Sequence, residues 1–400
     1  MRIRCAFRRA LVVWGARVED PREIIEEGEA GRGRIDRRAF LARAAGAGLA
    51  LPAILAGLEG CARRSTAPGT APAPMSTELP DTINLYNWSV YSSPAMKDDF
   101  ERIYGVAVRE TFFDDNESML AQLTANPAAY DVIVPSDYMV SIMRRHSLLR
   151  PLDMSLIPEF KNVMNDFQAL PFDPGAGGAK CTVPYQWGTT GIGVRLDKVG
   201  TPIRGWADLW RPEFQGRISM LNDEREVLGA GLMKNGFSEN STKQSELDEA
   251  TADLITQKAL VKHYDSANMT TSLVDGLPLV HTWDGAAKLA ISELGEDVCT
   301  YVLPAEGFTM WVDNLAIPKD APNPYAAHLF INFACEPRIA AELVAFTKYQ
   351  TPNAAVVPML SRFQRRWIPT RAQLTRRQII DDLGPFSTAY DAAWEKLRSS

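Results

Sequence analysis

Alternation of hydrophobic and polar residues predicts the first elements of the chain. Thr82–Trp88 alternates apolar and polar side chains, which is the pattern of a β-strand with one buried face. Ser93 followed by Pro94 predicts a helix start, because serine accepts a hydrogen bond from a free amide and proline fits the first turn. Gly105 predicts the end of this helix. Residues 106–113 then predict the next strand.

Strands and helices continue to alternate along the chain. A helix is predicted over 116–125, a buried strand over 130–134, and a second helix over 137–146. A further α/β stretch runs from about 192 to 308. Its clearest elements are a helix near 206–210, a strand at 218–221 and an apolar run at 277–283. This order predicts an α/β protein with a mostly parallel sheet, whose ligand binds outside the carboxyl ends of the strands.

Aromatic side chains stand beside carboxylates where predicted strands end. The aromatic residues are Trp88, Tyr91, Tyr138, Trp283 and Trp311, and the acids include Asp284 and Asp313. Faces of Trp and Tyr attract ammonium groups, by about 0.5–2 kcal/mol when partly desolvated. Carboxylates pair with the ammonium ends, without which a dry cleft would reject the charge. The pattern favours a cleft for an organic cation, and core packing is the competing explanation.

The N-terminus has the features of an export signal. Up to Cys61 the chain has eleven basic and eight acidic residues, and an apolar run of small residues covers 44–58. That run has the length of a signal-peptide core and is short for a membrane span. Arg37 and Arg38 before Phe40 resemble a twin-arginine signal. An amphipathic surface helix is the alternative.

The leader ends in a candidate lipidation site. The sequence up to Cys61 resembles a lipobox, although Glu59 departs from the usual small or apolar residue. We expect a leader over 1–61 and a flexible tether over 62–80, which is rich in Pro, Ala, Thr and Ser. The protein would then work in the periplasm, or on the outer face of the cytoplasmic membrane if the cysteine is lipidated.

Composition and motifs exclude several classes of protein. A net charge of −6 argues against a nucleic-acid partner. Neither G-x-S-x-G, a P-loop, H-E-x-x-H nor a G-x-G-x-x-G turn after a strand is present. The four histidines have no ligand spacing, so no metal site is predicted. They are His146, His263, His281 and His328.

Two smaller features leave alternatives open. Asp223 and Glu226 are three residues apart and could act as the acid pair of a hydrolase, or they could form the acidic first turn of a helix. Cys181, Cys299 and Cys335 could hold one disulfide or remain three buried thiols.

Seven segments of the sequence stand out together: 85–91 (LYNWSVY), 130–136 (YDVIVPS), 183–188 (VPYQWG), 206–212 (WADLWRP), 223–227 (DEREV), 311–318 (WVDNLAIP) and 349–353 (YQTPN). As a set they resemble the spermidine/putrescine-binding proteins of bacterial polyamine ABC transporters, over essentially all of 81–400. The resemblance implies a two-lobed periplasmic-binding-protein fold of type II, in which each lobe is a mixed sheet flanked by helices and the ligand cleft lies between the lobes.

The resemblance also implies domain boundaries and a pocket. Lobe 1 would comprise 81–187 and 311–357, and lobe 2 would comprise 188–310 and 358–400. The crossings would fall near Gly188, Met310 and Val357, so that the lobes can close by hinge motion. The implied ligand contacts are Trp88, Ser89, Tyr91, Ser136, Tyr138, Asp223, Glu226, Trp283, Trp311, Asp313 and Tyr349.

The resemblance assigns roles to the acids and marks two departures. Asp313 would hold an ammonium group between aromatic walls, and the Asp223/Glu226 pair would contact other amines. Val90 stands where family members carry Glu or Asp, and Ile380 stands where the spermidine binder has Gln. The preferred amine is therefore left open. Asp137 or Asp284 could restore the missing charge from nearby.

The function predicted from the sequence is capture of a polyamine of the putrescine/spermidine class for delivery to an ABC permease. No cofactor and no bond-making chemistry are expected, and the protein would act as a monomer that meets the membrane only through a lipid anchor. Amine sensing together with a membrane receptor is the alternative that keeps the fold. Hydrolysis by Asp223 and Glu226 is the alternative of a different class.

Overall fold

The computed structural model describes residues 75–175 and 179–400. The predicted leader, Cys61 and most of the predicted tether lie outside these residues. Within the described residues, no helix is long and apolar enough to cross a membrane.

Ten strands and thirteen α-helices are found in the part of the chain that the structure describes. The strands are β1 Thr82–Trp88, β2 Ala107–Phe113, β3 Val132–Ile133, β4 Thr182–Arg195, β5 Ile218–Met220, β6 Val261–Tyr264, β7 Leu279–Trp283, β8 Cys299–Val302, β9 Phe308–Ala316 and β10 Arg377–Gln378. The helices are α1 Pro94–Tyr104, α2 Asn116–Ala125, α3 Asp137–Arg145, α4 Asn165–Gln168, α5 Glu224–Lys234, α6 Gln244–Gln257, α7 Met269–Val274, α8 Asp284–Leu294, α9 Pro324–Ala334, α10 Pro337–Thr347, α11 Arg362–Arg366, α12 Arg371–Leu374 and α13 Ser387–Ser399.

Local capping explains why α1 begins and ends where the sequence predicts. The side chain of Ser93 accepts a hydrogen bond from the amide of Met96, which satisfies one free donor of the first turn. Gly105 has φ of 70°, the left-handed conformation that glycine adopts most easily, and its amide donates to the carbonyl of Glu101. The buried strand predicted at 130–134 is shorter, because only Val132 and Ile133 pair within β3.

The sheet is mixed, with two parallel parts joined by antiparallel strands. Its order is β2-β1-β3-β9-β4-β7-β5-β6, with β10 beside β9 and β8 beside β4. Strands β1, β2 and β3 are parallel to one another, as are β5, β6 and β7. Strands β4 and β9 run antiparallel to each other, β9 is antiparallel to β3, and β4 is antiparallel to β7 and β8, whereas the short β10 is parallel to β9. The prediction of a mostly parallel sheet is therefore wrong for the centre of the sheet. There, β4 and β9 are antiparallel to each other and to the strands on either side, β3 and β7.

The long strand β4 joins the two parts of the sheet. Its first half, Thr182–Thr189, pairs with β9, and its second half, Thr190–Arg195, pairs with β7 and β8. All fourteen residues are buried. The partner changes after Thr189, next to the predicted crossing near Gly188, which stays a prediction.

The hydrophobic core forms separate clusters on the two sides of this crossing. One cluster combines residues from 192–299 with residues of α13. Two others combine residues from 83–187 with residues from 308–343. This partition follows the order of the predicted lobes, whose boundaries stay a prediction.

The three described cysteines are free thiols. Cys181, Cys299 and Cys335 are buried and unpaired within the described residues. Burial raises the pKa of Cys299 to about 11 and that of Cys335 to about 12. Of the two open alternatives, the structure has the three separate thiols.

Candidate ligand-binding cleft

A cavity of about 540 Å³ opens beyond the ends of β1 and β3, against the starts of α3, α5 and α8. It lies at the carboxyl ends of parallel strands, as the sequence predicts. All eleven residues named from the resemblance line this one cavity. They are Trp88, Ser89, Tyr91, Ser136, Tyr138, Asp223, Glu226, Trp283, Trp311, Asp313 and Tyr349. Their roles as ligand contacts stay a prediction.

Asp313 on β9 is a buried carboxylate held by two hydroxyl groups. The Tyr91 hydroxyl donates to Oδ2 at 2.6 Å, and the Ser136 hydroxyl donates to Oδ1 at 2.6 Å. The side chain of Asn116 donates to the same serine hydroxyl at 3.2 Å. Burial raises the pKa of Asp313 to about 6, although both hydroxyl donors favour its charged form. The carboxylate is thus fixed in place before any ligand arrives.

Aromatic rings surround this carboxylate. The Trp311 and Tyr349 rings are 5.1 Å apart in an edge-to-face arrangement, and the Tyr91 and Tyr349 rings are 5.4 Å apart. Trp88 is held by its indole N–H, which donates to the carbonyl of Val134 at 3.0 Å. Rigid aromatic faces beside an anion suit an alkyl ammonium, because the rings contact its methylene groups and attract its charge.

Two glycines allow the aromatic walls to approach the backbone. A methyl group at Gly188 would lie 2.4 Å from the Trp311 ring and 2.5 Å from Oδ1 of Asp284. A methyl group at Gly285 would lie 2.4 Å from the Tyr349 ring. Real Cβ atoms do not come this close to other atoms, so the ring positions depend on the missing side chains.

Glu226 supplies a second carboxylate from the first turn of α5. Its Oε1 accepts hydrogen bonds from the Thr190 hydroxyl at 2.8 Å and from the Trp283 indole at 3.1 Å. Its Oε2 is buried and has no hydrogen-bond partner among the described residues. Burial, reinforced by the charge of Asp223, raises the pKa of Glu226 to about 8. Oε2 is therefore an acceptor that an incoming donor can satisfy.

Asp223 stands at the start of a helix, which is one of the two alternatives that the sequence left open. Its side chain accepts a hydrogen bond from the amide of Glu226 at 3.0 Å, so it caps α5. The same residue lines the cavity. The acidic first turn of a helix is thus confirmed as its local structure.

Sequence reasoning missed several polar residues that line the cleft or the smaller cavity next to it. Glu117 accepts a hydrogen bond from the Tyr138 hydroxyl at 3.0 Å, and burial raises its pKa to about 7. Asn116 positions Ser136, and both Asn116 and Glu117 closely follow the end of β2. The sequence analysis looked for ligand-binding residues just after β1 and β3. The same search after the end of β2 would have found Asn116 and Glu117. Arg225 is a cation in the same cavity and lies over the Tyr138 ring, and no sequence pattern indicated it.

A smaller cavity of about 240 Å³ adjoins the cleft and shares Tyr138, Asp223 and Arg225 with it. Carboxylates from distant parts of the chain line it, among them Glu117 and Glu224. Burial, followed by the charge of Asp391, raises the pKa of Glu224 to about 8.

The two departures from the family pattern both face the cleft. Val90 is 63% exposed and has φ of 57°, a conformation that is strained for a β-branched residue. Ile380 is buried against the cavity. Neither side chain can accept a hydrogen bond from an amine.

The two acids proposed to restore the missing charge already have partners. Asp137 accepts hydrogen bonds from the amides of Tyr138 and Val312. Asp284 forms a buried ion pair with Lys288 at 2.7 Å. The structure therefore gives no free carboxylate at either position.

The four histidines lie away from the cleft. No group of three or more potential metal ligands occurs among the described residues. His281 is fully buried against the Trp206 ring, and burial lowers its pKa to about 3.

Comparison with known proteins identifies the family. Residues 95–367 match the model of the bacterial extracellular solute-binding proteins. The chain is 33% identical over 325 residues to the spermidine/putrescine-binding periplasmic protein of Escherichia coli, covering 80% of this chain and 92% of that protein. It is 28% identical over 371 residues to the putrescine-binding periplasmic protein of the same organism, covering 86% and 97%.

Solved structures of polyamine transporter proteins are also similar to this chain. A putative spermidine/putrescine ABC transporter protein from Listeria monocytogenes superimposes with a TM-score of 0.76 at 32% identity, covering 80% of this chain and 99% of that one. The PotD lipoprotein of Treponema pallidum gives a TM-score of 0.73 at 29% identity, covering 80% and 100%. The two-lobed periplasmic-binding-protein fold is confirmed. With its matching family model and its relatives at 33% identity, the chain belongs to the bacterial extracellular solute-binding proteins.

Proposed function

We propose that this protein captures a polyamine of the putrescine/spermidine class in the periplasm and delivers it to an ABC permease in the cytoplasmic membrane. The observation that carries the proposal is the buried Asp313 carboxylate, which Tyr91 and Ser136 orient beside the Trp311 and Tyr349 rings. The names of relatives that cover most of the chain support the same ligand class.

Binding replaces the hydration of the amine with fixed protein groups. One ammonium group donates hydrogen bonds to Asp313, whose carboxylate is already mostly buried. The methylene chain lies between aromatic faces. A second ammonium group donates to Oε2 of Glu226, the acceptor without a partner. Each charge thus meets an opposite charge within the cleft, which offsets the cost of its desolvation.

Closure of two lobes around the ligand completes the mechanism. Asp313 belongs to predicted lobe 1 and Glu226 to predicted lobe 2, so a diamine that contacts both favours the closed arrangement. The crossing at Gly188 in β4 would act as a hinge.

No covalent step is involved. The protein would work as a monomer, and lipidation of Cys61 would hold it at the membrane.

Calorimetric titration tests the proposal. Protein exported with its own leader is unfolded to remove any ligand it carries, refolded, and titrated with putrescine, spermidine, spermine, cadaverine and an acetylated polyamine. We expect saturable binding of at least one of them with a Kd in the micromolar range, about −8 kcal/mol. Absence of binding to every amine, with the protein correctly refolded, would refute the polyamine assignment.

A further inference from the structure

The segment between Ser361 and Gln378 has a charge opposite to that of the rest of the chain. It contains six arginines and no acidic residue, whereas the remaining sequence has 37 basic and 49 acidic residues. The acid-free stretch is longer still, since neither Asp nor Glu occurs over 343–380. The arginines are Arg362, Arg365, Arg366, Arg371, Arg376 and Arg377. The proposed capture of a cationic ligand does not explain these six positive charges.

Local structure fixes this segment on the protein surface. Helices α11 and α12 each begin with a capping box, formed by Ser361 with Gln364 and by Thr370 with Gln373. Partly buried side chains anchor the segment, because Phe363 and Trp367 pack against one core cluster and Leu374 packs against another. The arginines are therefore held on an ordered frame.

All six arginines are exposed, and most have no protein partner. Arg366 pairs with Glu296 at 2.7 Å, and Arg377 donates to the carbonyl of Leu374. Among the residues that the structure describes, the other four guanidinium groups make neither an ion pair nor a hydrogen bond. They are those of Arg362, Arg365, Arg371 and Arg376. Like charges placed close together repel one another, so this arrangement favours contact with an anion from outside the protein.

Exposed aliphatic side chains lie next to the arginines in sequence. Val357 and Met359 belong to a 3-10 helix, Ala354–Met359, that ends just before α11. Met359 is 55% exposed. Val356 and Leu360, on either side, are buried together with Ile368. The outward orientation of Val357 and Met359 is thus fixed by the burial of their neighbours.

We propose that residues 357–377, the arginine surface, bind the anionic headgroups of a phospholipid bilayer. Guanidinium groups pair with phosphate oxygens, and short apolar side chains beside them enter the headgroup region. A lipid surface fits better than an acidic protein, because unpaired arginines spread over two helices match a field of phosphates rather than a single site. The proposal relies on the proposed function only for its location beside the membrane.

The arginine surface would add a second membrane contact to the predicted lipid anchor. Electrostatic attraction to anionic headgroups adds to the attachment that a lipid anchor supplies. The contact acts over about 8–10 Å in physiological salt, so it requires the surface to lie almost on the headgroups.

Vesicle co-sedimentation tests the proposal. The full chain with Cys61→Ala, exported so that no lipid is attached, is mixed with vesicles of phosphatidylcholine alone or of phosphatidylcholine with phosphatidylglycerol. We expect at least about tenfold more protein on the anionic vesicles, and we expect this excess to disappear at high salt. Equal binding to both vesicle types would overturn the proposal, as would no binding to either.

Two variants with the same net charge locate the contact. Arg362→Gln/Arg365→Gln/Arg371→Gln should lose most of the vesicle binding, whereas Arg109→Gln/Arg217→Gln/Lys262→Gln, which alters exposed basic residues outside the segment, should retain it. If both variants lost vesicle binding equally, the binding would depend only on the net charge of the protein, and the proposal would be overturned. Amine titration of both variants should match that of the parent protein, so failure of the lipid contact is distinguishable from failure of amine binding.

Discussion

Asp313 is the residue on which capture of a cation depends most directly. Its two oxygens accept hydrogen bonds from Tyr91 and Ser136, and its side chain is buried at the wall of the cleft. The sequence pointed to this residue because an acid two positions from Trp311 follows the aromatic pattern. It could not show the two hydroxyl donors, since Tyr91 and Ser136 are distant in the chain and meet only through the fold.

Replacement of Asp313 tests its role. Asp313→Asn removes the charge but keeps the shape, so the ligand's ammonium group would be buried without an anion, at a cost of about 2–5 kcal/mol. We expect calorimetry to show a loss of about 30-fold or more. Asp131→Asn is the matched control, because Asp131 is equally buried but serves the amides of Asn84 and Asn323 outside the cleft. The assignment fails if both variants keep the parent affinity.

Protonation of the two cleft carboxylates predicts a pH dependence. Burial raises the pKa of Asp313 to about 6 and that of Glu226 to about 8. In the free protein each group therefore keeps its proton up to that pH, and a bound ammonium group must displace it. Polyamine nitrogens resemble lysine and stay charged in this range. Affinity should thus rise with pH through about 6 to 8 and then level off.

Titrations at several pH values, in buffers with different ionisation enthalpies, measure this release of protons. Glu226→Gln cannot ionise and should lose the upper part of the pH dependence while keeping the part near 6. A Kd that stays constant between pH about 5 and about 9 would show that neither carboxylate changes its protonation on binding.

Short elements with clear caps were predictable, whereas long buried strands were not. Strand β1 and helix α1 have the predicted bounds, because alternation marks the strand and Ser93 and Gly105 mark the helix ends. Strands β4 and β9 are buried along their whole length. Neither strand has an exposed face, so no simple alternation of apolar and polar residues distinguished them, and the antiparallel centre of the sheet was missed.

A substitution at Gly188 tests whether strand β4 sets the shape of the cleft by allowing the Trp311 ring to lie against it. Gly188→Ala would push a methyl group into the Trp311 ring and the Asp284 carboxylate, and the ring would move into the cleft. We expect at least about tenfold weaker binding, equivalent to 1.4 kcal/mol or more. Gly193→Ala on the same strand is the control, because its methyl group would meet Leu273 in the core instead. If both variants weakened binding equally, the loss would come from lower stability and not from the position of the Trp311 ring. Thermal denaturation measures the stability of each variant separately.

At the scale of the whole molecule, contacts between the predicted lobes bear on closure. Arg145 at the end of α3 forms an ion pair with Asp382, which belongs to predicted lobe 2. Arg225 of α5 lies over the ring of Tyr138 of α3. These pairs join segments far apart in sequence, so the sequence alone gave no sign of them.

Removal of the Arg145–Asp382 pair should weaken binding without any change in the cleft. Arg145→Gln would destabilise the closed arrangement by about 1 kcal/mol or less, because Arg145 is largely exposed, and would weaken affinity by a few-fold at most. Arg102→Gln is the control, since Arg102 pairs with Asp99 inside α1. Small-angle scattering should show a larger population of open protein in Arg145→Gln alone, and identical scattering curves would contradict a role in closure.

A crystal structure of the protein with its preferred polyamine would show directly whether Asp313 and Glu226 hold the ligand, which is the arrangement proposed here. We expect one ligand nitrogen at about 2.7–2.9 Å from an oxygen of Asp313, with the methylene chain beside Trp311 and Tyr349. A second nitrogen should lie within hydrogen-bond distance of Oε2 of Glu226. A ligand whose nitrogens contact neither carboxylate, or one that binds outside the cleft, would contradict it.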